Sequence, residues 1–393
     1  MIARAVALYL QIPVRGFLLR SIGTPDCMDK FPSFASFLFT IATASAQATH
    51  IVGPGGFADI AAALLASSPG DVVLVHPGSY APFSLNIGVT IRAITVGTVA
   101  IVAGWGSVAN VPAGQTAHFV GLDMNFIGVV GGRATFDQCS MVGVTTGLGG
   151  GIWVTNAEVH LQRCTVRALP VSLVMPPAPC QAQNAELTAI DCTIEGADAG
   201  LFFGLPGPAM QLTGSRLRGS SLTVRGGRGG SHASAVALIA DAASTVWIAD
   251  SALASPSASC PVQANSGRFA RCTLMPNCGG LPAGTVLGMS RPQPLQNGAP
   301  FVLEFRDAPN QLVGVWVSLD LQTSLFVGME QTVLLAPRAW AAGLFVTDAT
   351  GFAAGVWPIP AGPQFIDHTL WFQAFGAGSL PLQASAVAGG AVR

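Results

Sequence analysis

A six-residue unit recurs along the middle of the chain and constrains the fold more than any other feature. Each copy begins and ends with an apolar residue and has Cys or Ser at its fourth position. The six copies are Phe136–Met141, Leu161–Val166, Ala189–Ile194, Leu212–Leu217, Ile248–Leu253 and Phe269–Leu274. Successive Cys or Ser positions are 25, 28, 23, 36 and 21 residues apart. This spacing is typical of one coil of a β-solenoid whose loops vary in length.

The side-chain pattern inside the unit predicts a corner between two short strands. The Cys or Ser and the apolar residue two positions later share one face of a strand, but the apolar residue three positions earlier cannot share that face on a straight strand. A bend at the third position resolves the conflict. The predicted bend residues are Gln138, Arg163, Asp191, Gly214, Asp250 and Arg271. Cys139, Cys164, Cys192 and Cys272 are then small residues that face inward.

Two rival repeat architectures lack their signatures. Leucine-rich repeats require a Leu-x-x-Leu-x-Leu frame, and propeller blades require a period near 40 residues with a motif of their own. Composition agrees with an all-β class, because only 9% of residues are charged while the chain has 47 glycines and 27 prolines. The net charge of −1 gives no electrostatic reason to expect nucleic acid as a partner.

The segment from His50 to Ala93 precedes the repeats and predicts a cap. Phe57–Ser67 is an Ala/Leu-rich helix, and Val72–Val75 is a buried type of strand, followed by His-Pro-Gly-Ser-Tyr. A short helix, then GDVVLVHPGSY, then an apolar strand resembles the N-terminal end of pectin-lyase-like β-helix proteins. In that family the helix plugs the open end of the coil, where apolar side chains and strand edges need cover.

The resemblance covers residues 50–282 and implies a right-handed parallel β-helix with a short N-terminal capping helix. It is specific for the fold and weak for activity. The family includes pectate lyases, glycoside hydrolases, epimerases, adhesins and inert scaffolds, so the fold alone does not assign a function.

Residues 1–46 are predicted to be a targeting segment. Lys30 precedes an apolar stretch from Phe31 to Ala42, and Ala44-Ser45-Ala46 provides a signal-peptidase pattern. We expect cleavage after Ala46, with the true start at Met28 or a long basic region before it; the alternative is a buried N-terminal helix. The apolar run is too short for a comfortable membrane span, and no other stretch is long enough. The mature protein is therefore predicted to be secreted, periplasmic or bound to the cell surface.

Cysteine usage is compatible with export. Cleavage after Ala46 leaves seven of the eight cysteines, so at least one thiol stays free. Disulfides are permitted outside the cytoplasm. No Cys-x-x-Cys spacing occurs, which argues against a zinc site.

The repeating unit stops near Gly298, which predicts a second domain. We expect a β-helix over residues 47–290 and a small β-sandwich over 291–393. The predicted strands are 301–305, 312–319, 331–337, 343–348 and 369–375. Alternation in the last places Leu370, Phe372 and Ala374 on one face, with Trp371, Gln373 and Phe375 on the other. This strand and the closing 384–392 segment resemble a module that ends many secreted bacterial β-helix proteins.

The most charged stretch, from Glu186 to Asp250, contains the catalytic and metal-binding candidates. The resemblance implies that a polysaccharide lyase would use an arginine base and calcium held by carboxylates, so calcium is the candidate cofactor. The catalytic candidates are Arg216, Arg218, Arg225, Asp191 and Glu195, and the metal-ligand candidates are Asp191, Glu195 and Asp198. Asp191 and Glu195 would share a face if their strand stayed straight. The alternative is solvated surface ion pairs.

Three residues are candidates for substrate binding. Trp153 is either a stacking platform for a sugar ring or a core residue. Arg228 and His232 belong to the glycine-rich segment 225–232, which lacks the Lys-Ser/Thr and the helix of a phosphate-binding loop. We interpret it as a flexible loop that could line a groove for an acidic glycan.

The sequence thus favours an exported β-helix protein that binds a polysaccharide or the cell-surface matrix, or acts as a scaffold. The alternatives are a lyase for acidic polysaccharide and an inert spacer. A hydrolase is disfavoured because the paired-carboxylate motifs of polygalacturonase-like enzymes do not occur. The binding hypothesis predicts exposed aromatic residues in a line, with Trp153 or Trp247 as the candidates, and it fails if both are buried.

Overall fold

The structure is a computed structural model of the chain. It describes residues 47–102, 106–143, 151–169, 176–199, 205–229, 234–256, 260–275, 286–291, 293–319, 321–324, 329, 333–335, 339–359, 361–362, 365–366, 369–376 and 382–393. The predicted export signal and the candidate residue His232 lie outside these ranges.

The first domain is a parallel β-solenoid of about eight turns, as the repeat predicts. Its elements are β1 (Thr49–Val52), α1 (Ile60–Ala66), β2 (Val72–Val75), β3 (Gly78–Tyr80), β4 (Ser84–Leu85), β5 (Thr90–Ala93), β6 (Val99–Ile101), β7 (Gly106–Ala109), β8 (Ala117–Val120), β9 (Leu122–Met124), β10 (Phe126–Val130), β11 (Arg133–Asp137), β12 (Ser140–Gly143), β13 (Gly151–Thr155), β14 (Glu158–Gln162), β15 (Thr165–Ala168), β16 (Cys180–Gln183), β17 (Glu186–Ile190), β18 (Thr193–Glu195), β19 (Met210–Thr213), β20 (Arg216–Ser220), β21 (Thr223–Arg225), β22 (Leu238–Ala240), β23 (Thr245–Ala249), β24 (Ala252–Ala254), β25 (Val262–Ala264), β26 (Gly267–Ala270) and β27 (Thr273–Met275).

Three parallel sheets form the walls of the solenoid. Sheet 1 has the order β1-β2-β5-β8-β11-β14-β17-β20-β23-β26. Sheet 2 runs β3-β6-β9-β12-β15-β18-β21-β24-β27, and sheet 3 runs β4-β7-β10-β13-β16-β19-β22-β25. Each coil contributes one strand to each sheet, so residues one coil apart lie side by side. The hand of the coil remains a prediction from the sequence.

The predicted corner exists and has a definite backbone conformation. Five non-glycine bend residues, Gln138, Arg163, Asp191, Asp250 and Arg271, have φ between 49° and 53°. This left-handed conformation turns the chain between sheet 1 and sheet 2. A second left-handed corner, between sheet 3 and sheet 1, was not predicted. Asn110, Asn156 and Asn184 occupy it with φ of 50–54°, a conformation that Asn tolerates better than most residues.

The fourth predicted copy of the repeat was assigned to the wrong corner. Gly214 has φ 59° but follows β19 of sheet 3, so Leu212–Leu217 spans the second corner. In that coil the sheet 1–sheet 2 corner is Ser221, with φ 55°, because Gly219 pairs with Ala189. The equivalent copy is therefore Gly219–Val224. At both corners a few small or polar residues follow an apolar strand, so the sequence pattern alone does not distinguish one corner from the other.

Stacked small and apolar side chains fill the interior. Cys139, Cys164 and Cys192 are buried, as the inward orientation predicts, and Cys272 in the last coil is partly buried. At the N-terminal end, Asp59 caps α1 by accepting a 2.7 Å hydrogen bond from the Ala62 N–H. Ile60, Ala63 and Leu64 of α1 are buried against the first coil, which confirms the predicted cap. In the described part of the chain, no helix is long and apolar enough to span a membrane.

The second domain is an antiparallel, sandwich-like module, as predicted. Its strands are β28 (Gly288–Ser290), β29 (Pro300–Arg306), β30 (Leu312–Ser318), β31 (Leu321–Ser324), β32 (Val333–Leu335), β33 (Trp340–Val346), β34 (Phe352–Pro358), β35 (Thr369–Gly376) and β36 (Gln383–Ala391). They form the sheets β28-β29-β34 and β33-β30-β35-β36 and the pair β31-β32. Phe301, Phe305 and Phe372 are fully buried in the module core. The predicted alternation in β35 is confirmed, because Leu370, Phe372 and Ala374 pack in this core while Trp371 and Phe375 join a different cluster.

Candidate functional site

The module packs against the outer face of sheet 1 over its middle strands. Trp371 of β35 lies against two histidines of sheet 1, with ring centroids 6.0 Å from His118 and 6.1 Å from His160. The Gly389 N–H donates a 3.1 Å hydrogen bond to Gln162 Oε1, and Arg133 donates to the Leu321 carbonyl. We call this contact the domain junction. Where the module packs, this face of the solenoid is closed to a large ligand.

Buried charges hold the junction together. Asp137 of β11 accepts hydrogen bonds from Arg163 at 2.7 Å and from Arg291 at 3.3 Å, and Arg393 lies 3.9 Å away. Arg291 is only 1% exposed, and this burial lowers the pKa of its guanidinium to about 10. One carboxylate thus faces three guanidinium groups that come from both domains.

The junction histidines contact neighbouring side chains of sheet 1. His118 Nδ1 lies 2.7 Å from Thr135 Oγ1, and His160 Nε2 lies 2.9 Å from Glu158 Oε1. Burial, reinforced by the charges of His160 and Arg133, lowers the pKa of His118 to about 4. The pKa of Glu158 is lowered to about 2: burial alone would raise it, but His160 and Arg133 beside the carboxylate outweigh that cost.

The carboxylate candidates separate into two places. Asp191 is the corner residue of its coil, so the strand does not stay straight and the condition for sharing a face with Glu195 is not met. Asp191 Oδ2 accepts a 3.1 Å hydrogen bond from the Arg291 N–H at the domain junction. Glu195 and Asp198 lie on the sheet 2 side, where both contact Arg225 at 3.4 Å. Among the described residues, no group of three or more His, Cys, Asp or Glu side chains is arranged to hold a metal ion.

The arginine candidates are also dispersed. Arg216 and Arg218 both project from the outer face of β20, but Arg216 is exposed whereas Arg218 is 2% exposed. Arg218 forms a 3.0 Å ion pair with Glu186, and its guanidinium carbon lies 6.0 Å from the Trp247 ring. Trp247 is partly buried against a small apolar cluster. Arg225 belongs to sheet 2, so the described geometry does not gather the candidate bases around one open groove.

The glycine-rich segment is packed, not open, over its described part. Arg228 N donates a 2.7 Å hydrogen bond to Asp198 Oδ1, and Gly227 N donates one of 3.0 Å to the Gly207 carbonyl. A Cβ on Gly227 would overlap the Ala197 carbonyl, and one on Gly226 would overlap the Ala235 carbonyl. The glycines therefore allow close backbone stacking in residues 226–229, which corrects the interpretation of that part as a flexible loop.

Sheet 3 presents a face of a different character. None of its eight strands contains a charged residue. Backbone pairing aligns one outward column along the solenoid: Ser84, Ser107, Gly128, Trp153, Gln181, Gln211, Ile239 and Gln263. A second column contains Ala109, Val130, Thr155, Gln183 and Thr213. We call these two columns the neutral face.

Trp153 stands out on the neutral face. Its side chain is 40% exposed, so one of the two candidate aromatics is accessible, but the other residues of its column are not aromatic and the predicted line of aromatic residues is not found there. Its neighbour on one side is Gly128, whose Cα has open space, since an added Cβ would meet nothing closer than 3.8 Å. On the other side Gln181 is held by a 3.0 Å hydrogen bond from its Nε2 to the Ala178 carbonyl. The indole is thus accessible from the Gly128 side and flanked by an amide that is fixed in place.

Sequence reasoning found Trp153 but missed the neutral face around it. The glutamines come from three coils, and only the register of sheet 3 brings them into line. No protein-family model matches this sequence, no curated protein resembles it significantly, and no solved structure matches it significantly.

Proposed function

We propose that this is an exported protein that binds an uncharged polysaccharide on its neutral face. The observation that supports the proposal is Trp153, a large aromatic ring exposed in the middle of a charge-free column whose polar members are serines and glutamines. An indole ring offers an apolar platform for the C–H face of a sugar, and glutamine amides both donate to and accept from sugar hydroxyls.

The regular spacing of the neutral face suits a chain-like ligand. Neighbouring strands lie about 4.8 Å apart, so Trp153, Gln181 and Gln211 repeat at that interval along the solenoid axis. A linear glycan that lies along this axis would meet Trp153, Gln181 and Gln211 in three successive coils. The absence of charge from these strands favours a neutral glycan over an acidic one, because an acidic glycan would be left without counter-charges.

The proposal can be tested by affinity electrophoresis in gels that contain soluble neutral glucans, mannans or galactans. We expect at least one of them to retard the protein. Trp153→Ala should weaken binding by about tenfold, the effect of losing a stacking contact. Trp340→Ala is a matched control, because Trp340 is also 40% exposed but belongs to the module. Equal retardation of the wild type and Trp153→Ala would contradict the proposed site.

The same preparations distinguish the alternative functions. Release of unsaturated sugar ends from acidic polysaccharides, dependent on calcium, would support a lyase instead. No binding and no product would leave the spacer hypothesis. Export is tested separately: N-terminal sequencing of protein recovered outside the cytoplasm should begin at Gln47, and a longer N-terminus would refute cleavage after Ala46.

A further inference from the structure

A polar cleft of about 420 Å³ lies at the domain junction, away from the neutral face. One wall is the sheet 1–sheet 2 corner of three successive coils and includes Ser221, Asp250 and Arg271. The opposite wall is the outer side of β28 and β29, with Ser290, Glu304 and Arg306. The volume falls within the range of about 300–1,000 Å³ that is usual for small-molecule sites.

Part of this lining is fixed by contacts within the protein. Arg271 donates to Asp250 at 2.7 and 3.0 Å and also to the carbonyls of Val286 and Arg306, both at 2.9 Å. These bonds join the two walls, so Arg271 serves as a rigid base of the cleft. Asp250 and Arg271 balance each other in charge.

The other charged side chains remain able to meet a ligand. Arg306 is exposed, with its guanidinium carbon 5.4 Å from the Phe352 ring. Glu304 is partly exposed, and among the described residues its carboxylate accepts one long hydrogen bond, of 3.4 Å, from the Ser290 hydroxyl. Since Glu304 and Arg306 are two residues apart on β29, their side chains project from the same face into the cleft.

Hydroxyl groups supply the rest of the surface. Ser220, Ser221, Thr273 and Ser290 line the cleft. The Ser220 hydroxyl is buried and makes no hydrogen bond with any described residue. The lining therefore combines carboxylate acceptors, guanidinium donors and hydroxyls that do both, with a net charge of zero from Asp250, Glu304, Arg271 and Arg306.

We propose that this cleft binds a neutral polyol of monosaccharide or disaccharide size. Vicinal hydroxyls of such a ligand would donate to Glu304 and accept from Arg306, while the corner hydroxyls would bond to the remaining oxygens. A ligand with a net charge would be disfavoured, because the lining offers no excess of either sign. The site is separate from the neutral face, so it does not depend on the function proposed above.

The test is isothermal titration of the full-length mature chain with glucose, galactose, mannose, cellobiose, lactose and maltose at millimolar concentrations. We expect saturable binding of at least one of these sugars. Glu304→Gln and Arg306→Ala should each raise its Kd by about tenfold, the loss expected for a hydrogen bond to a charged group. Arg167→Ala is the control, because Arg167 is an exposed arginine of sheet 2 that does not line the cleft.

Ser220→Ala separates binding from stability. If the hydroxyl binds a ligand, its removal should weaken sugar binding. The Tm of the free protein should stay unchanged or rise, because the substitution removes a buried polar group that has no hydrogen-bond partner in the free protein. A lower Tm with unchanged affinity would assign Ser220 a structural role.

The proposal is overturned if none of the six sugars binds, or if the cleft variants bind like Arg167→Ala. Trp153→Ala should bind these sugars normally, so failure of one site is distinguishable from failure of the other.

Discussion

His118 shows how a single residue couples the domain junction to pH. The histidine packs against Trp371, and its pKa is lowered to about 4 by burial and by the charges of His160 and Arg133. In the unfolded chain a histidine binds a proton near pH 6.5. Because the unfolded state then holds more protons, falling pH favours unfolding across the window from 6.5 to 4.

We therefore expect acidification from pH 7 to pH 4 to reduce the free energy of unfolding by about 3 kcal/mol through His118 alone. Urea denaturation of the wild type and of His118→Asn at both pH values measures this effect. The variant should lose less stability than the wild type. His76→Asn is the control, because His76 lies on an early coil away from Trp371. Parallel losses in the wild type and His118→Asn would refute the assignment.

Protonation of Glu158, whose pKa is about 2, adds a further loss of stability between pH 4.5 and pH 2.

At the scale of single residues, the sequence predicted five corners between sheet 1 and sheet 2 and the inward cysteines, because both depend on local side-chain alternation; it missed the second corner and confused the two at Gly214. It did not predict the partners of Asp137 or of Asp191. Asp137 and Arg291 are 154 residues apart, and Asp191 and Arg291 are 100 apart. Nothing in a single sequence indicates that Arg291, which follows the solenoid in the chain, packs against the outside of the solenoid. Asp191 was therefore a metal-ligand candidate in the sequence, although in the structure it contacts the module.

At the scale of elements, the stacked loops on the sheet 2 side depend on glycine. Residues 196–199 and 226–229 lie one coil apart and are joined by backbone hydrogen bonds from Gly196 to Arg225 and from Ala199 to Arg228. Gly227 fits because its Cα approaches the Ala197 carbonyl without a side chain. The position of residues 226–229 on residues 196–199 is thus fixed by direct contact between the two backbones.

Gly227→Ala should lower the free energy of unfolding by about 1–3 kcal/mol, the usual cost of overpacking. Gly106→Ala is a matched control, because an added Cβ there would meet atoms no closer than 3.6 Å. Thermal unfolding of both variants provides the comparison. A Gly227→Ala Tm equal to that of the Gly106→Ala variant would show that the loop layer can relax.

At the scale of the whole molecule, the domain junction depends on one carboxylate. Asp137 faces Arg163 from the solenoid and Arg291 and Arg393 from the module. Asp137→Asn leaves three guanidinium groups in a buried site without this counter-charge, and we expect it to cost about 3–5 kcal/mol. Arg291→Met should cost much less, because Asp137 keeps Arg163 and an apolar side chain replaces a buried cation.

Urea denaturation followed by tryptophan fluorescence compares these two variants, with Trp371 at the junction as one of the seven tryptophans that contribute to the signal. The double variant Asp137→Asn/Arg291→Met should recover part of the loss of Asp137→Asn, because it removes one of the uncompensated cations. A larger loss for Arg291→Met than for Asp137→Asn would show that the arginine, not the carboxylate, organises the junction.

The buried cysteines of the solenoid interior link folding to redox chemistry. Burial raises the pKa of Cys139 and Cys164 well above the usual range and that of Cys180 to about 12, so these thiols are unreactive in the folded protein. In the unfolded chain the same thiols are accessible, and strand pairing brings Cys139, Cys164 and Cys192 into successive coils. Oxidation before coiling would cross-link residues whose native positions leave them as thiols. In an oxidising compartment, the yield of native protein therefore depends on the rate of coil formation relative to the rate of disulfide formation. Parallel β topologies fold slowly, which brings the two rates close together.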